Sequence, residues 1–297
     1  MRRALTVLAV LGAAVVAAGL WITGPQHLPA DTFAGLTGDA VAGERVFWAA
    51  GCASCHAAPD ATGEARLTLA GGQAFPSDFG TFIAPNISMD PENGIGSWTL
   101  AQFADAVQRG TSPDGGHLYP AFPYTTYANA SAQEVADLWA FWQALPASDA
   151  ESLPHELGFP FNIRLGVGAW KLLYANKGFV TPEPSDPQVA RGRHIVEALA
   201  HCGECHTPRD ALGGLDRARW LKGAPDPSGK GRIPDITPAS LDWSAEEIAA
   251  YLNDGFTPDY DSAGGHMVAV ISNLALLPEE DRPAIAAYLK ALPDRPE

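Results

Sequence analysis

The chain has 297 residues, 46% of them hydrophobic and 18% charged, which is enough apolar material for one large or two ordinary packed domains and excludes bulk disorder. Nineteen Lys and Arg stand against 34 Asp and Glu, a formal net charge of −15, and that balance argues against a nucleic-acid partner because no surplus of cations exists to neutralise phosphates. Four cysteines in two close pairs do not make a disulfide-stapled scaffold.

Arg2 and Arg3 precede an uncharged run of nineteen residues from Ala4 to Ile22. A cleavable secretory signal has an apolar core of about 7–15 residues, whereas a spanning helix needs about 20. The run lies nearer the second length, and Trp21 at its end suits a membrane–water interface. The reading is a retained anchor, with Val16-Ala17-Ala18 as a cleavage site for the alternative of a signal peptide. Both place the rest of the chain outside the cytoplasm, because the arginines hold the start inside.

The remainder is one pattern written twice. Cys52-Ala53-Ser54-Cys55-His56 is matched by Cys202-Gly203-Glu204-Cys205-His206, and each follows a short helical stretch opening at Gly43 or Gly192. Asn86-Ile87-Ser88 answers Asp235-Ile236-Thr237, the isoleucines lying 35 and 34 residues beyond the first cysteine (87−52, 236−202). Ser97-Trp98-Thr99 answers Asp242-Trp243-Ser244, each placing Ser or Thr to cap a helix. Gly115-Gly116-His117 answers Gly264-Gly265-His266, and both copies end in amphipathic stretches, Val135 to Leu145 and Pro283 to Leu292. No alternating strand pattern rivals these helices. The expected architecture is all-α, with two tandem haem domains after the N-terminal helix: 1–30 signal or anchor and tether, 31–146 first domain, 147–187 linker, 188–297 second domain. The linker is rich in Pro and Gly and reads as extended, while its apolar middle, Phe159 to Tyr174, is expected to pack against one domain.

Two thiols three positions apart on a helical turn can add to the two vinyl groups of one haem, and the adjacent histidine then reaches the iron. A four-cysteine zinc site wants its pairs about 15–20 residues apart, but Cys55 and Cys202 are separated by 147 (202−55). A thioredoxin-like dithiol needs a βαβ context and leaves both histidines unexplained. Two haem c groups are therefore expected, attached through Cys52, Cys55, Cys202 and Cys205, with His56 and His206 as proximal iron ligands. Met267, 65 residues beyond Cys202 (267−202), is the expected sixth ligand of the second haem and would raise its potential. For the first haem His117 is the candidate, Met89 the alternative, and an open position the third option. Arg209 is a candidate partner for a haem propionate, and His194 and His201 lie beside the second attachment motif.

With these motifs, Pro85-Asn86-Ile87-Ser88, Gly94-Ile95-Gly96-Ser97-Trp98, Leu118-Tyr119-Pro120-Ala121-Phe122-Pro123-Tyr124 and Ala286-Ala287-Tyr288-Leu289, the chain resembles bacterial membrane-associated multihaem cytochromes c that serve periplasmic alcohol and aldehyde dehydrogenases as electron-accepting subunits. The resemblance covers roughly residues 39–297. In that family a methionine often follows the Tyr-Pro-Ala run and ligates the first haem, and Phe122 stands there in this chain. The resemblance implies an electron carrier on the periplasmic side of the inner membrane, anchored or soluble after cleavage, between a dehydrogenase and a respiratory-chain acceptor. The alternative is a dihaem oxidoreductase or peroxidase with an open first haem. Charge and ionised propionates favour a partner with a basic patch.

Overall fold

The computed structural model describes residues 2–175, 177–227, 229 and 231–293, so the last four residues of the expected second domain lie outside it. Helix α1 (Arg2–Ile22) is long and apolar enough to cross a membrane and buries none of its residues. The first unit follows with α2 (Ala40–Ala49), α3 (Cys52–His56), the hairpin β1 (Ala74–Ser77) and β2 (Gly80–Ile83), α4 (Leu100–Arg109), α5 (Tyr124–Tyr127) and α6 (Ala132–Trp142). The connecting segment carries β3 (Glu156–Leu157) and α7 (Leu165–Tyr174). The second unit holds α8 (Pro187–His194), α9 (Cys202–His206), β4 (Ala224–Pro225), β5 (Arg232–Ile233), α10 (Ala245–Asp254), α11 (Met267–Leu274) and α12 (Asp281–Lys290).

The helices start where the sequence supplies acceptors for their free N–H groups. Asp39 and Asp186 cap α2 and α8, while Thr99, Ser131 and Ser244 form capping boxes with Gln102, Glu134 and Glu247 at α4, α6 and α10. The helices expected from Val135 and Pro283 begin two to three residues earlier, at Ala132 and Asp281. Each unit is clamped by its first and last helix. A Cβ on Gly43 would stand 1.9 Å from the Asp137 carbonyl oxygen, and one on Gly192 would stand 1.9 Å from that of Ala284. Only glycine lets these backbones approach so closely. Beside the first crossing, Phe47 meets Trp142 at 5.6 Å between ring centroids, and Phe103 meets Trp139 at 4.9 Å.

The two copies differ by one residue at this point: Cys52 follows Gly43 by nine positions (52−43), and Cys202 follows Gly192 by ten (202−192). The second unit absorbs the extra residue as a π-helical turn over Ile195–Leu199. Glu197 in that turn is buried and accepts from the Thr181 hydroxyl at 2.7 Å, the Tyr288 hydroxyl at 2.6 Å and the Val180 N–H. The end of the connecting segment is thereby fixed to α12.

Two features depart from the sequence expectation. Short strands occur, β1–β2–β3 in one antiparallel sheet and β4–β5 in another. They span two to four residues, too few for a period-two pattern to show, and Pro76 sits in the edge strand β1, where a missing N–H costs least. Within the connecting segment α7 touches both units. Lys171 Nζ donates to the carbonyls of Arg109 and Gly110, each at 2.7 Å, while Trp170 Nε1 donates to the Leu212 carbonyl and the Tyr174 hydroxyl to Asp210. Residues 161–174 contain no proline, so nothing prevents a helix there.

Gly192→Ala is expected to cost about 2–3 kcal/mol by forcing the α8–α12 crossing apart. Gly158→Ala, with nothing within 4 Å of its added Cβ, should change stability by less than about 0.5 kcal/mol. Guanidinium unfolding followed by circular dichroism measures both.

Candidate haem-binding sites

Each Cys-x-x-Cys-His run folds as one helical turn, which sets Cys52 with Cys55, and Cys202 with Cys205, on a common face. Both turns are entered through a left-handed residue, Gly51 at φ 66° and His201 at φ 43°. Glycine adopts that conformation freely, whereas a histidine must be held there. His201 is held by contact across the molecule, its ring 6.0 Å from that of Tyr127.

The histidines that close the turns are oriented identically. His56 Nδ1 donates to the Pro85 carbonyl at 3.0 Å and His206 Nδ1 to the Pro234 carbonyl at 2.9 Å. A carbonyl only accepts, so Nδ1 carries the proton and Nε2 keeps its lone pair. Burial lowers the pKa of both imidazoles and keeps them neutral. The loops bearing the prolines are anchored alike. Gly71 N–H donates to the His56 carbonyl and Gly223 N–H to that of His206, both at 2.7 Å, while Ile87 and Ile236 donate to Leu69 and Leu221. Nothing in residue type marks Pro85 and Pro234, because a backbone carbonyl plays the part. Their near-equal offsets from the first cysteine, 33 and 32 (85−52, 234−202), are the signal.

Burial pushes Cys52 and Cys202 up to about 12 and Cys55 up to about 11, so they are thiols at neutral pH. The four cysteines form no disulfide. Among the described residues no cluster of three or more His, Cys, Asp or Glu could hold a bare metal ion. Paired thiols on one face beside a neutral imidazole with a free lone pair fit a covalently attached haem at both sites.

The two attachment turns meet across the seam between the units. Ser54, inside the first, accepts from Asn273 Nδ2 at 2.8 Å, and Asn273 Oδ1 accepts from Arg66. Glu204, inside the second, accepts from the hydroxyls of Thr125 at 3.2 Å and Thr126 at 3.1 Å. Tyr127 donates to the Ala50 carbonyl at 2.6 Å, and Asn129 to that of Glu197 at 2.9 Å. Cys55, raised mainly by burial, is raised further by Cys205 on the other side.

Met267 opens α11 and is half-buried against the core. Met89 is also half-buried there, four residues after Pro85. His117 is buried with Nε2 donating to the Thr23 carbonyl at 3.0 Å, at the exit of α1, and its Nδ1 has no hydrogen-bond partner. Arg209 is engaged by Glu204 at 2.5 Å and by the Gly213 carbonyl at 2.8 Å. His194 pairs across the seam with Glu134 at 2.7 Å. The guanidinium expected at a propionate and a histidine expected at the second motif thus serve as internal ties.

Residues 40–146 and again 189–293 match the family model described as Cytochrome c. The chain belongs to the cytochrome c family. It is similar to a diheme cytochrome c-type protein of Cereibacter sphaeroides, at 58% identity over 99% of both chains. It is also similar to the fructose dehydrogenase cytochrome subunit of Gluconobacter japonicus, 37% identical over 84% of this chain and 51% of that one. The gluconate 2-dehydrogenase cytochrome c subunit of Pantoea cypripedii is 31% identical over 84% of this chain and 58% of its own length. The chain spans little more than half of these two dehydrogenase subunits. This cytochrome carries two haem c groups and transfers electrons, and an open-haem peroxidase is not favoured.

Replacing Cys52 and Cys55 together by alanine is expected to leave one haem of two. Intact mass should fall by one macrocycle and the c-type absorbance to about half, provided the remaining site loads independently.

Proposed function

We propose that this cytochrome is retained in the bacterial inner membrane by α1, faces the periplasm, and passes electrons from a dehydrogenase to a membrane acceptor. The observation that carries the reading is the seam. The two attachment turns are bonded to one another's surroundings through Ser54, Asn273, Glu204, Thr125 and Thr126, which holds two redox centres in a fixed relation inside one chain. The dehydrogenase partner rests on the cytochrome subunits to which the chain is similar. A net charge of −15 favours a basic docking patch on that partner and makes association weaken with salt.

When bound, each haem supplies a one-electron ferric–ferrous couple. The protein's own part is orientation and tuning. Pro85 and Pro234 fix the tautomer and ring plane of His56 and His206, which raises the basicity of the coordinating nitrogen. Met267, half-buried at the start of α11, would hold the second haem together with His206, and its thioether would favour the reduced iron and raise the potential. His117 is not assigned to the first haem, because its Nε2, the nitrogen the proximal histidines keep free, is spent on Thr23. Met89 belongs to the loop that grips the rear nitrogen of His56 and is not assigned either. Phe122, in the place where the resembling family carries methionine, packs 5.7 Å from the Tyr127 ring and offers no donor.

Near-infrared magnetic circular dichroism tests the assignment. A methionine band should be present, vanish in Met267→Ala and persist in Met89→Ala. His117→Ala should leave the spin state of both haems unchanged, and a switch from low to high spin in that variant would restore His117 as a ligand. Retention of α1 is tested separately by the mature protein's intact mass and by alkaline carbonate extraction. A membrane-bound chain containing residues 2–22 supports the anchor, and a soluble chain shortened near Ala18 makes α1 a cleaved signal.

A further inference from the structure

The connecting helix α7 is amphipathic the wrong way round for a soluble surface. Its inward face carries Gly168 and Lys171, the latter spending its ammonium on the Arg109 and Gly110 carbonyls, while Leu165, Leu172 and Leu173 point outward, 56%, 46% and 55% exposed. Positions i, i+7 and i+8 lie on one side of a helix, so these leucines form a single stripe. Phe159 and Ile163, just before α7, extend the exposed apolar surface.

This surface stands at the exit of α1. A Cβ on Gly168 would lie 2.1 Å from the Thr23 carbonyl oxygen, so α7 crosses the end of α1 in direct contact. The chain leaving α1 is tied to the first unit by four further bonds: Thr23 O accepts from His117, Gln26 O from Thr111 at 2.9 Å, Leu28 N–H donates to Asp105 at 2.7 Å, and His27 Nδ1 pairs with the same carboxylate at 2.7 Å. The exit and α7 are therefore one rigid collar.

Charge is distributed to match. Residues 158–182 contain Arg164, Lys171 and Lys177 and no Asp or Glu, and residues 1–30 contain Arg2 and Arg3 and no Asp or Glu, in a chain with 34 acidic residues. These are the two longest stretches of the chain without a carboxylate, and both belong to the collar. Lys171 is turned inward and Arg164 donates to the His117 carbonyl at 3.0 Å, which leaves Lys177 beyond the helix as the uncommitted cation; outward leucines with no carboxylate near them suit the interface of an anionic bilayer.

We propose that α7 is a second membrane contact: its Leu165–Leu172–Leu173 stripe lies in the outer surface of the bilayer that α1 spans and seats the first haem unit on the membrane in one orientation. The placement rests on the anchored reading for its setting, yet the stripe has its own readout. Single cysteines replacing Leu172, Leu173 and, as reference, the exposed Leu276 of the second unit are spin-labelled in the full, haem-loaded chain, whose native cysteines are consumed by attachment. The protein is placed in phosphatidylethanolamine–phosphatidylglycerol vesicles. Power saturation should show labels at 172 and 173 relaxed severalfold more by oxygen than by a water-soluble nickel complex, with the order reversed at 276. Labels at 172 and 173 as open to nickel as that at 276 overturn the proposal. So does protection that arises only on adding a dehydrogenase or on raising protein concentration, which would make the stripe a protein-docking face. Should intact mass show α1 removed while the labels of the mature chain still immerse in added vesicles, the anchor reading fails and the α7 contact stands.

Discussion

A hydrogen bond from His56 and another from His206 to a proline carbonyl is the constraint on which both candidate sites depend. An imidazole on a one-turn helix is free to rotate, and it has two nitrogens of which only one can face a metal. Pro85 and Pro234 remove both freedoms by accepting from Nδ1. Much of each unit exists to hold those carbonyls. The loops are clamped by Gly71 and Gly223 reaching the histidine carbonyls, by Leu69 and Leu221, and by Asn86 and Asp235, whose side chains accept from the N–H two residues on. The duplicated landmarks of the sequence are the traces of these clamps.

Duplication also accounts for the seam, and a small asymmetry shapes it. The second unit's extra residue becomes a π-turn, which brings buried Glu197 to the connecting segment and to α12. The position before the second motif is His201 where the first has Gly51, and the histidine's left-handed backbone sends its ring onto Tyr127. Two copies of one domain thus became unequal partners whose differing residues face one another.

Several polar residues that motif spacing nominates for cofactor roles are occupied in holding the molecule together. Arg209 binds Glu204, His194 binds Glu134, and His117 binds the backbone at the end of α1. Each bond joins segments far apart in the chain or braces an attachment turn. For His194 and His117 an offset within the repeat cannot reveal the partner, which lies in the other copy or outside the repeat, whereas Arg209 is held from within its own copy by Glu204, five residues away.

The repeat itself, the pairing of Cys52 with Cys55 and of Cys202 with Cys205 on one helical turn, the helix caps and the apolar first helix were legible from the chain alone. All of these are local: a thiol pair three residues apart, a serine before a helix and a run of uncharged residues act within one or two turns. The orienting carbonyls, the seam, the short strands and the outward stripe of α7 were decided only in three dimensions. Backbone acceptors carry no mark in residue type, and the periodicity of α7 shows a stripe without showing which way it faces. Its direction was set by Lys171 and Gly168, which bind distant carbonyls and the end of α1, leaving the leucines about half exposed.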